Sequence, residues 1–290
     1  MKSTVAFIGL GAMGWHMAGH LTGKGHDVWV ANRTAEKAKQ HAQCFQTQAV
    51  TMAQAVQADF IFSCLPTSAD VEALIQRHPP KQGSIWIDCT SGVPESAQML
   101  SQLLEERGIA YLDAPVSGQT IGAENGTLTV MIGGNMNAFQ IAKPIIQAFA
   151  GLIEHVGESG SGFSVKAINN TLMATHLWAL AEGLTTLKAT GVDLQAALNC
   201  INASSGQSSM SQNIMKQRVL NRSFPKTFAL DLLQKDIGIA IDLVKQNHLN
   251  LNVFTLVGQK FNQIEKVHAS TLDFSAAVQI LEQDSQLQLQ

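Results

Sequence analysis

The stretch Val5-Ala6-Phe7-Ile8-Gly9-Leu10-Gly11-Ala12-Met13-Gly14 decides how the first half of this chain is read. Val5–Ile8 is a short apolar run that reads as a buried strand, and the Ala-, Met- and Leu-rich residues after Gly14 read as a helix. Between them stands G-x-G-x-x-G. In a strand–turn–helix unit the first glycine permits the tight turn and the second lets a pyrophosphate approach the backbone. The third lets helix and strand pack closely. The helix N-terminus adds free N–H groups and a partial positive charge. Glycine triplets also occur in ordinary loops, so it is the placement between strand and helix that points to a dinucleotide site.

The same alternation continues. Apolar runs at Val28–Ala31, Phe60–Cys64, Ile85–Asp88, Ala110–Asp113 and Leu128–Ile132 are separated by helical stretches such as Ala35–Gln43, Ala69–Gln76 and Pro94–Glu106. Buried strands alternating with helices predict an α/β fold with a parallel sheet covered on both faces. Ligands of such sheets sit beyond the C-terminal ends of the strands. Cys64-Leu65-Pro66-Thr67 and Asp88-Cys89-Thr90-Ser91 occupy those ends. The character changes after Gly157-Glu158-Ser159-Gly160-Ser161-Gly162. Phe163–Thr190 reads as one long interdomain helix, and Gly191, Gly206 and Pro225 punctuate further helices. The expected division is a dinucleotide-binding domain over 1–160 and an all-helical domain over 161–290. The polar end, Glu282–Gln290, is expected to be loosely ordered.

At 290 residues the chain is long enough for two cores. Hydrophobic residues at 46% against 14% charged describe a well-buried globular protein. A net charge of −3 without a long basic run implies neither nucleic acid nor an anionic membrane as partner. No apolar stretch is long enough to span a bilayer, and Met1-Lys2-Ser3-Thr4 leads into the first strand without a signal peptide. A cytoplasmic protein is expected. Cys44, Cys64, Cys89 and Cys200 lie far apart, and Cys64 and Cys89 read as buried free thiols. His16 and His20 have the spacing of a metal pair but lack a third ligand, so no metal is expected.

Four segments carry candidate chemistry. The second strand ends Asn32-Arg33-Thr34, about twenty residues after the glycine turn, where an acidic residue would bind the ribose of NAD and an arginine the extra phosphate of NADP. The acidic residue is missing and a guanidinium is present, which favours NADP(H) over NAD(H). An exposed arginine in a polar turn is the plainer alternative. Asp113-Ala114-Pro115-Val116-Ser117-Gly118-Gln119 offers a hydroxyl and successive N–H groups suited to a carboxylate, or simply a turn closed by Ser and Gly. Lys166 follows Gly160-Ser161-Gly162 within the first turns of the long helix, with Asn170 one turn later on the same face. The helix field at that place should depress the lysine pKa, allowing proton exchange with a substrate oxygen. A solvated surface lysine is the plainer alternative. Lys235-Asp236 follows Phe228 in a later helix, and adjacent charges on a helix do not face each other, so no ion pair is expected between them.

With these motifs in order, the chain resembles the β-hydroxyacid dehydrogenases. The resemblance rests on Gly9–Gly14, Leu65–Asp70, Asp113–Gly118, Gly160–Asn170 and Phe228–Asp236, and runs from about residue 4 to 280. It implies a Rossmann-type doubly wound sheet followed by an all-α C-terminal domain. It also implies a hydride transfer between NADP(H), or NAD(H), and a small carboxylate-bearing hydroxy acid or semialdehyde acid. Lys166 would be the general acid/base and Asn170 its orienting partner, while Ser117 and Gly118 would hold the substrate carboxylate and Phe228 would wall the pocket. Gly9, Gly11, Ala12, Met13, Gly14, Asn32, Arg33, Thr34, Leu65 and Pro66 would bind cofactor. Thr90 and Ser91 would lie near the nicotinamide, and Lys235 would close over it. A homodimer or homotetramer is implied. Gln119 departs from the family, which usually has glycine there, and would narrow the pocket or add an amide to it. Imine reductases share the architecture but usually replace the lysine. Decarboxylating 6-phosphogluconate enzymes usually have a much longer second domain, and a non-enzymatic scaffold would typically lack the lysine.

Overall fold

A computed structural model describes residues 3–290, so the expectation placed on Met1 and Lys2 lies outside the described residues. The opening run forms strand β1 (Thr4–Ile8), and the glycine turn leads into helix α1 (Gly14–Leu21). There follow β2 (Asp27–Ala31), α2 (Ala35–Phe45), β3 (Gln48–Ala49), α3 (Met52–Ala55), β4 (Phe60–Ser63) and α4 (Ser68–Arg77). Then come β5 (Ile85–Asp88), α5 (Pro94–Glu105) and β6 (Ala110–Asp113). These six strands pair in parallel in the order β3-β2-β1-β4-β5-β6. The direction of winding therefore reverses between β1 and β4, the place where doubly wound sheets open a ligand crevice. Successive side chains of β1 serve opposite faces. Val5 and Phe7 pack with Phe62, Ile87 and Leu112, while Ala6 and Ile8 pack with Ile61, Trp86 and Tyr111.

The sheet is not wholly parallel. Strand β7 (Val116–Ser117), helix α6 (Gln119–Asn125), β8 (Leu128–Gly134), α7 (Met136–Ile146) and β9 (Ala150–Gly157) complete it. Strand β8 runs antiparallel to β6 and β7, and β9 runs parallel to β8. The expectation of a wholly parallel sheet is therefore corrected at this edge, where the chain folds back through α6.

The chain divides into two compact units, Met1–Lys166 and Ala167–Gln290, the division falling inside helix α8 (Ser161–Ala189). The second unit continues with α9 (Leu194–Asn202), a π-helical segment (Met210–Leu220), α10 (Leu230–Gln246) and α11 (Val253–Phe261). It ends with α12 (Lys266–Ala269), a 3₁₀ turn (Phe274–Ala277) and α13 (Val278–Ser285). Its core includes Leu177, Trp178, Leu233, Ile237, Phe261 and Phe274. Among the described residues no helix is long and apolar enough to cross a membrane.

The C-terminal end corrects the expectation of loose order. Val278–Ser285 is helical, and Leu289 is fully buried in the second core. The Leu289 N–H donates to Glu282 Oε1 at 2.7 Å, and Lys188 Nζ donates to the Gln288 carbonyl at 2.6 Å. One apolar side chain and two charged anchors outweigh the polar composition around them.

Candidate active site

The glycine turn has the shape a pyrophosphate needs. Gly9 stands at φ +99°, and a Cβ there would sit 2.3 Å from the Cys64 carbonyl oxygen. A Cβ on Gly14 would sit 2.0 Å from the Gly9 carbonyl oxygen and 3.0 Å from the Phe7 ring. Gly11, between them, has nothing within 4 Å of such a Cβ. Two glycines are thus forced by packing, and the third keeps the backbone open to solvent. Gly11 and Ala12 are exposed, Met13 is half-buried, and no side chain caps α1, so its N-terminal N–H groups are available to an anion. At the end of β2, Asn32 Oδ1 accepts the Leu10 N–H at 3.1 Å and its amide donates to the Thr34 carbonyl at 3.2 Å. Asn32 thereby ties the glycine turn to the second strand. Arg33 and Thr34 are exposed beside it.

The two segments at the ends of β4 and β5 are joined by Thr90 and, beneath it, by Asp88, to which sequence inspection gave no role. Thr90 is buried, and its Oγ1 accepts the Leu65 N–H at 3.1 Å. Asp88, buried beneath both, accepts from Ser63 Oγ, the Thr90 N–H and the Tyr111 hydroxyl. Burial raises the Asp88 pKa, and those donors oppose the shift. Pro66 is exposed and Ser91 half-buried, both next to this network. Burial also pushes the Cys64 thiol up to about 12 and the Cys89 thiol above its ordinary value, so neither is a thiolate near neutral pH.

In the segment Asp113–Gln119, Val116-Ser117 forms strand β7 rather than a turn, with Ser117 opposite Thr129. Gly118 and Gln119 follow at φ +137° and +58°, both exposed. Asp113 takes a different place: it is buried and accepts the N–H groups of Gly160 at 2.8 Å and Phe163 at 3.0 Å. Its carboxylate therefore caps α8 from a neighbouring strand. A Cβ on Gly162 would lie 2.4 Å from the Met131 carbonyl oxygen and 2.7 Å from that of Asp113, which explains the glycine before the helix.

Lys166 lies in the second turn of α8 and is 9% exposed; Asn170, one turn on, is 4% exposed. Neither is a solvated surface residue. Within the second unit, Asn170 Nδ2 donates to Asp236 Oδ2 at 2.6 Å, and Lys235 Nζ lies 3.3 Å from Asp236 Oδ1. The expectation that Lys235 and Asp236 would not pair is corrected: the flexible lysine stem curls back, because a buried carboxylate needs donors on both oxygens. Asp236 was legible only as the residue after Lys235. Phe228 is half-buried against Phe274, its N–H donating to Asp273 Oδ2 and its carbonyl accepting the Phe274 N–H. His20 Nε2 faces the carbonyl oxygens of Ala123 and Glu124.

A doubly wound sheet with this glycine turn defines a dinucleotide-binding protein. Residues 4–157 match the family model of the NAD binding domain of 6-phosphogluconate dehydrogenase. Residues 160–281 match that of the NAD-binding domain of NADP-dependent 3-hydroxyisobutyrate dehydrogenase. The chain is 33% identical to 2-(hydroxymethyl)glutarate dehydrogenase of Eubacterium barkeri, over 96% of this chain and 95% of that one. It is 31% identical to 2-hydroxy-3-oxopropionate reductase of Escherichia coli, over 96% and 97%. The solved structure of Mycobacterium tuberculosis 3-hydroxyisobutyrate dehydrogenase with L-serine is 28% identical, with a TM-score of 0.86 and coverage of 97% and 99%. The chain belongs to the β-hydroxyacid dehydrogenase family, the NAD(P)-dependent oxidoreductases of hydroxy acids.

Proposed function

We propose that this protein is an NADP(H)-dependent enzyme interconverting a small 3-hydroxy acid and the corresponding semialdehyde acid, with Lys166 as general acid/base. The observation that carries this reading is a lysine 9% exposed, one helical turn before the buried Asn170, in a chain built to hold a dinucleotide. The relatives named for 3-hydroxyisobutyrate, 2-hydroxy-3-oxopropionate and 2-(hydroxymethyl)glutarate supply the substrate class: a short acid with a hydroxyl or carbonyl to exchange. The nicotinamide, when bound, supplies or accepts the hydride.

The chain's own residues bind, orient and handle one proton. Ser117 and Gly118 hold the substrate carboxylate through a hydroxyl and backbone N–H groups. Lys166, as an ammonium, donates a proton to the substrate carbonyl oxygen during reduction. In the reverse direction the neutral amine accepts it from the hydroxyl. Asn170, held by Asp236, orients that oxygen. Gly9, Gly11, Ala12, Met13 and Gly14 cradle the pyrophosphate, and Leu65, Pro66, Thr90 and Ser91 line the nicotinamide end. Lys235 closes on the cofactor and Phe228 on the substrate. Residues 1–160 form the cofactor domain, and 161–290 carry substrate contacts and the contacts of a homodimer or homotetramer. The protein works in the cytoplasm.

Arg33 decides the cofactor: with Asn32 turned inward to Leu10, no carboxylate stands where a 2′-phosphate would be repelled. The test is NADPH and NADH oxidation with a panel of semialdehyde acids and glyoxylate, on the wild type and Arg33→Asp. NADPH is expected to support turnover better in the wild type. The variant should raise the KM for NADPH by about 10- to 100-fold and that for NADH far less. Equal effects on both cofactors would remove the NADP assignment, and no turnover of any acid would remove the function.

A further inference from the structure

Asp88 ends β5 with its side chain fully buried, and no proton or substrate contact in the proposed mechanism uses it. Oδ1 accepts from Ser63 Oγ at 2.9 Å and from the Thr90 N–H at 3.0 Å, and Oδ2 accepts from the hydroxyl of Tyr111 at 2.8 Å. Ser63 Oγ in turn accepts from Trp86 Nε1 at 2.8 Å, and Thr90 Oγ1 accepts the Leu65 N–H at 3.1 Å. One carboxylate thus roots the turns that follow β4 and β5, neighbouring strands in parallel register.

An asparagine would serve this geometry nearly as well. Its Oδ1 can accept from Ser63 and Thr90, and its amide can donate to the tyrosine hydroxyl, whose oxygen accepts as readily as its proton is donated. A buried carboxylate without a cation is costly by comparison. Among the described residues no lysine, arginine or histidine forms an ion pair with Asp88. Asp113, its register partner on β6, adds a second buried carboxylate rather than a counter-charge, and is bonded to the N–H groups of Gly160 and Phe163. What aspartate adds over asparagine is negative charge, placed at the end of the sheet where ligands of such folds bind. A nicotinamide ring is cationic when oxidised and neutral when reduced, so an ionised Asp88, favoured by its three donors against the opposing effect of burial, discriminates between them.

We propose that Asp88 is a positioning residue for the cofactor whose buried charge strengthens binding of the oxidised nicotinamide relative to the reduced one. The proposal rests on the reading that the Leu65-Pro66 and Thr90-Ser91 turns face the nicotinamide ring. Calorimetric titration of the wild type, Asp88→Asn and Tyr111→Phe with NADP+ and with NADPH tests it. Asp88→Asn is expected to weaken NADP+ by about tenfold while changing NADPH less than about twofold. Tyr111→Phe, which removes a donor that favours the ionised carboxylate, is expected to lower the preference for NADP+ in the same direction by a smaller factor. Equal weakening of both cofactors by Asp88→Asn, or no change in either, would overturn the proposal. Should Asp88→Asn not fold, an unchanged or increased NADP+ preference in Tyr111→Phe would overturn it. A wild type that binds neither cofactor would instead overturn the cofactor-site reading on which the proposal stands.

Discussion

Lys166→Ala is expected to lower kcat by about 10²- to 10⁴-fold, the range in which a positioned proton donor contributes. NADPH affinity should stay within a few-fold of the wild type, because the glycine turn and Arg33 are untouched. The burial of Lys166 makes a plain surface role untenable, and its place one turn before Asn170 puts an ammonium and an amide on one helix face. Lys166→Arg sharpens the test. Arginine keeps the positive charge but does not release its proton near neutral pH, so it should be almost as impaired as alanine. Steady-state turnover combined with a fluorescence titration of NADPH separates chemistry from binding. Near-normal turnover in Lys166→Ala would show that another group moves the proton.

The second large effect concerns the glycine turn, where two neighbouring glycines should fail in different ways. Gly14→Ala places a methyl group 2.0 Å from the Gly9 carbonyl oxygen. Backbone cannot yield there without separating α1 from β1, so a stability loss of about 1–3 kcal/mol or more is expected. Cofactor binding should be lost with it. Gly11→Ala meets nothing within 4 Å, so the fold should keep its stability. Its methyl group would still occupy the space through which a pyrophosphate reaches the backbone, and NADPH affinity should fall by at least about tenfold. Thermal unfolding and NADPH titration of both variants check this. A Gly11→Ala protein that binds NADPH normally would place the pyrophosphate elsewhere.

The parts of the fold that were legible in the sequence are those in which local pattern and burial agree. Strands β1, β2, β4, β5 and β6 are continuous apolar runs because helices cover both faces of the sheet, and such runs announce themselves. Strand β9 carries Gly151, Glu154 and His155 and is largely half-buried or exposed, so it leaves no apolar run to find. Strand β7 is two residues long, and the direction of β8 is set by pairing with β6 and β7, which no local run records. The Gln-rich end looked unstructured because a single leucine, Leu289, does the burying.

In the candidate site, the glycines, Lys166 and Asn170 stood out because chemistry and spacing coincide in one short segment. Asp88 did not, since Ser63 and Tyr111 reach it across the sheet from 25 and 23 residues away. Only the register of β4, β5 and β6 brings them together. The same holds for Asp236, whose bond to Asn170 spans 66 residues between two helices. Asp113 was legible only as the first residue of a segment read for its Ser117 hydroxyl and N–H groups; that its carboxylate caps the helix carrying Lys166 depends on contacts 47 and 50 residues away.

The central claim, that the Lys166 ammonium exchanges a proton with the substrate oxygen, is tested most directly by a crystal structure with NADP+ and a bound hydroxy acid. Lys166 Nζ is expected within hydrogen-bond distance of the substrate hydroxyl, on the same carbon that faces C4 of the nicotinamide. A nitrogen directed into solvent, with the hydroxyl bonded to some other side chain, would contradict it.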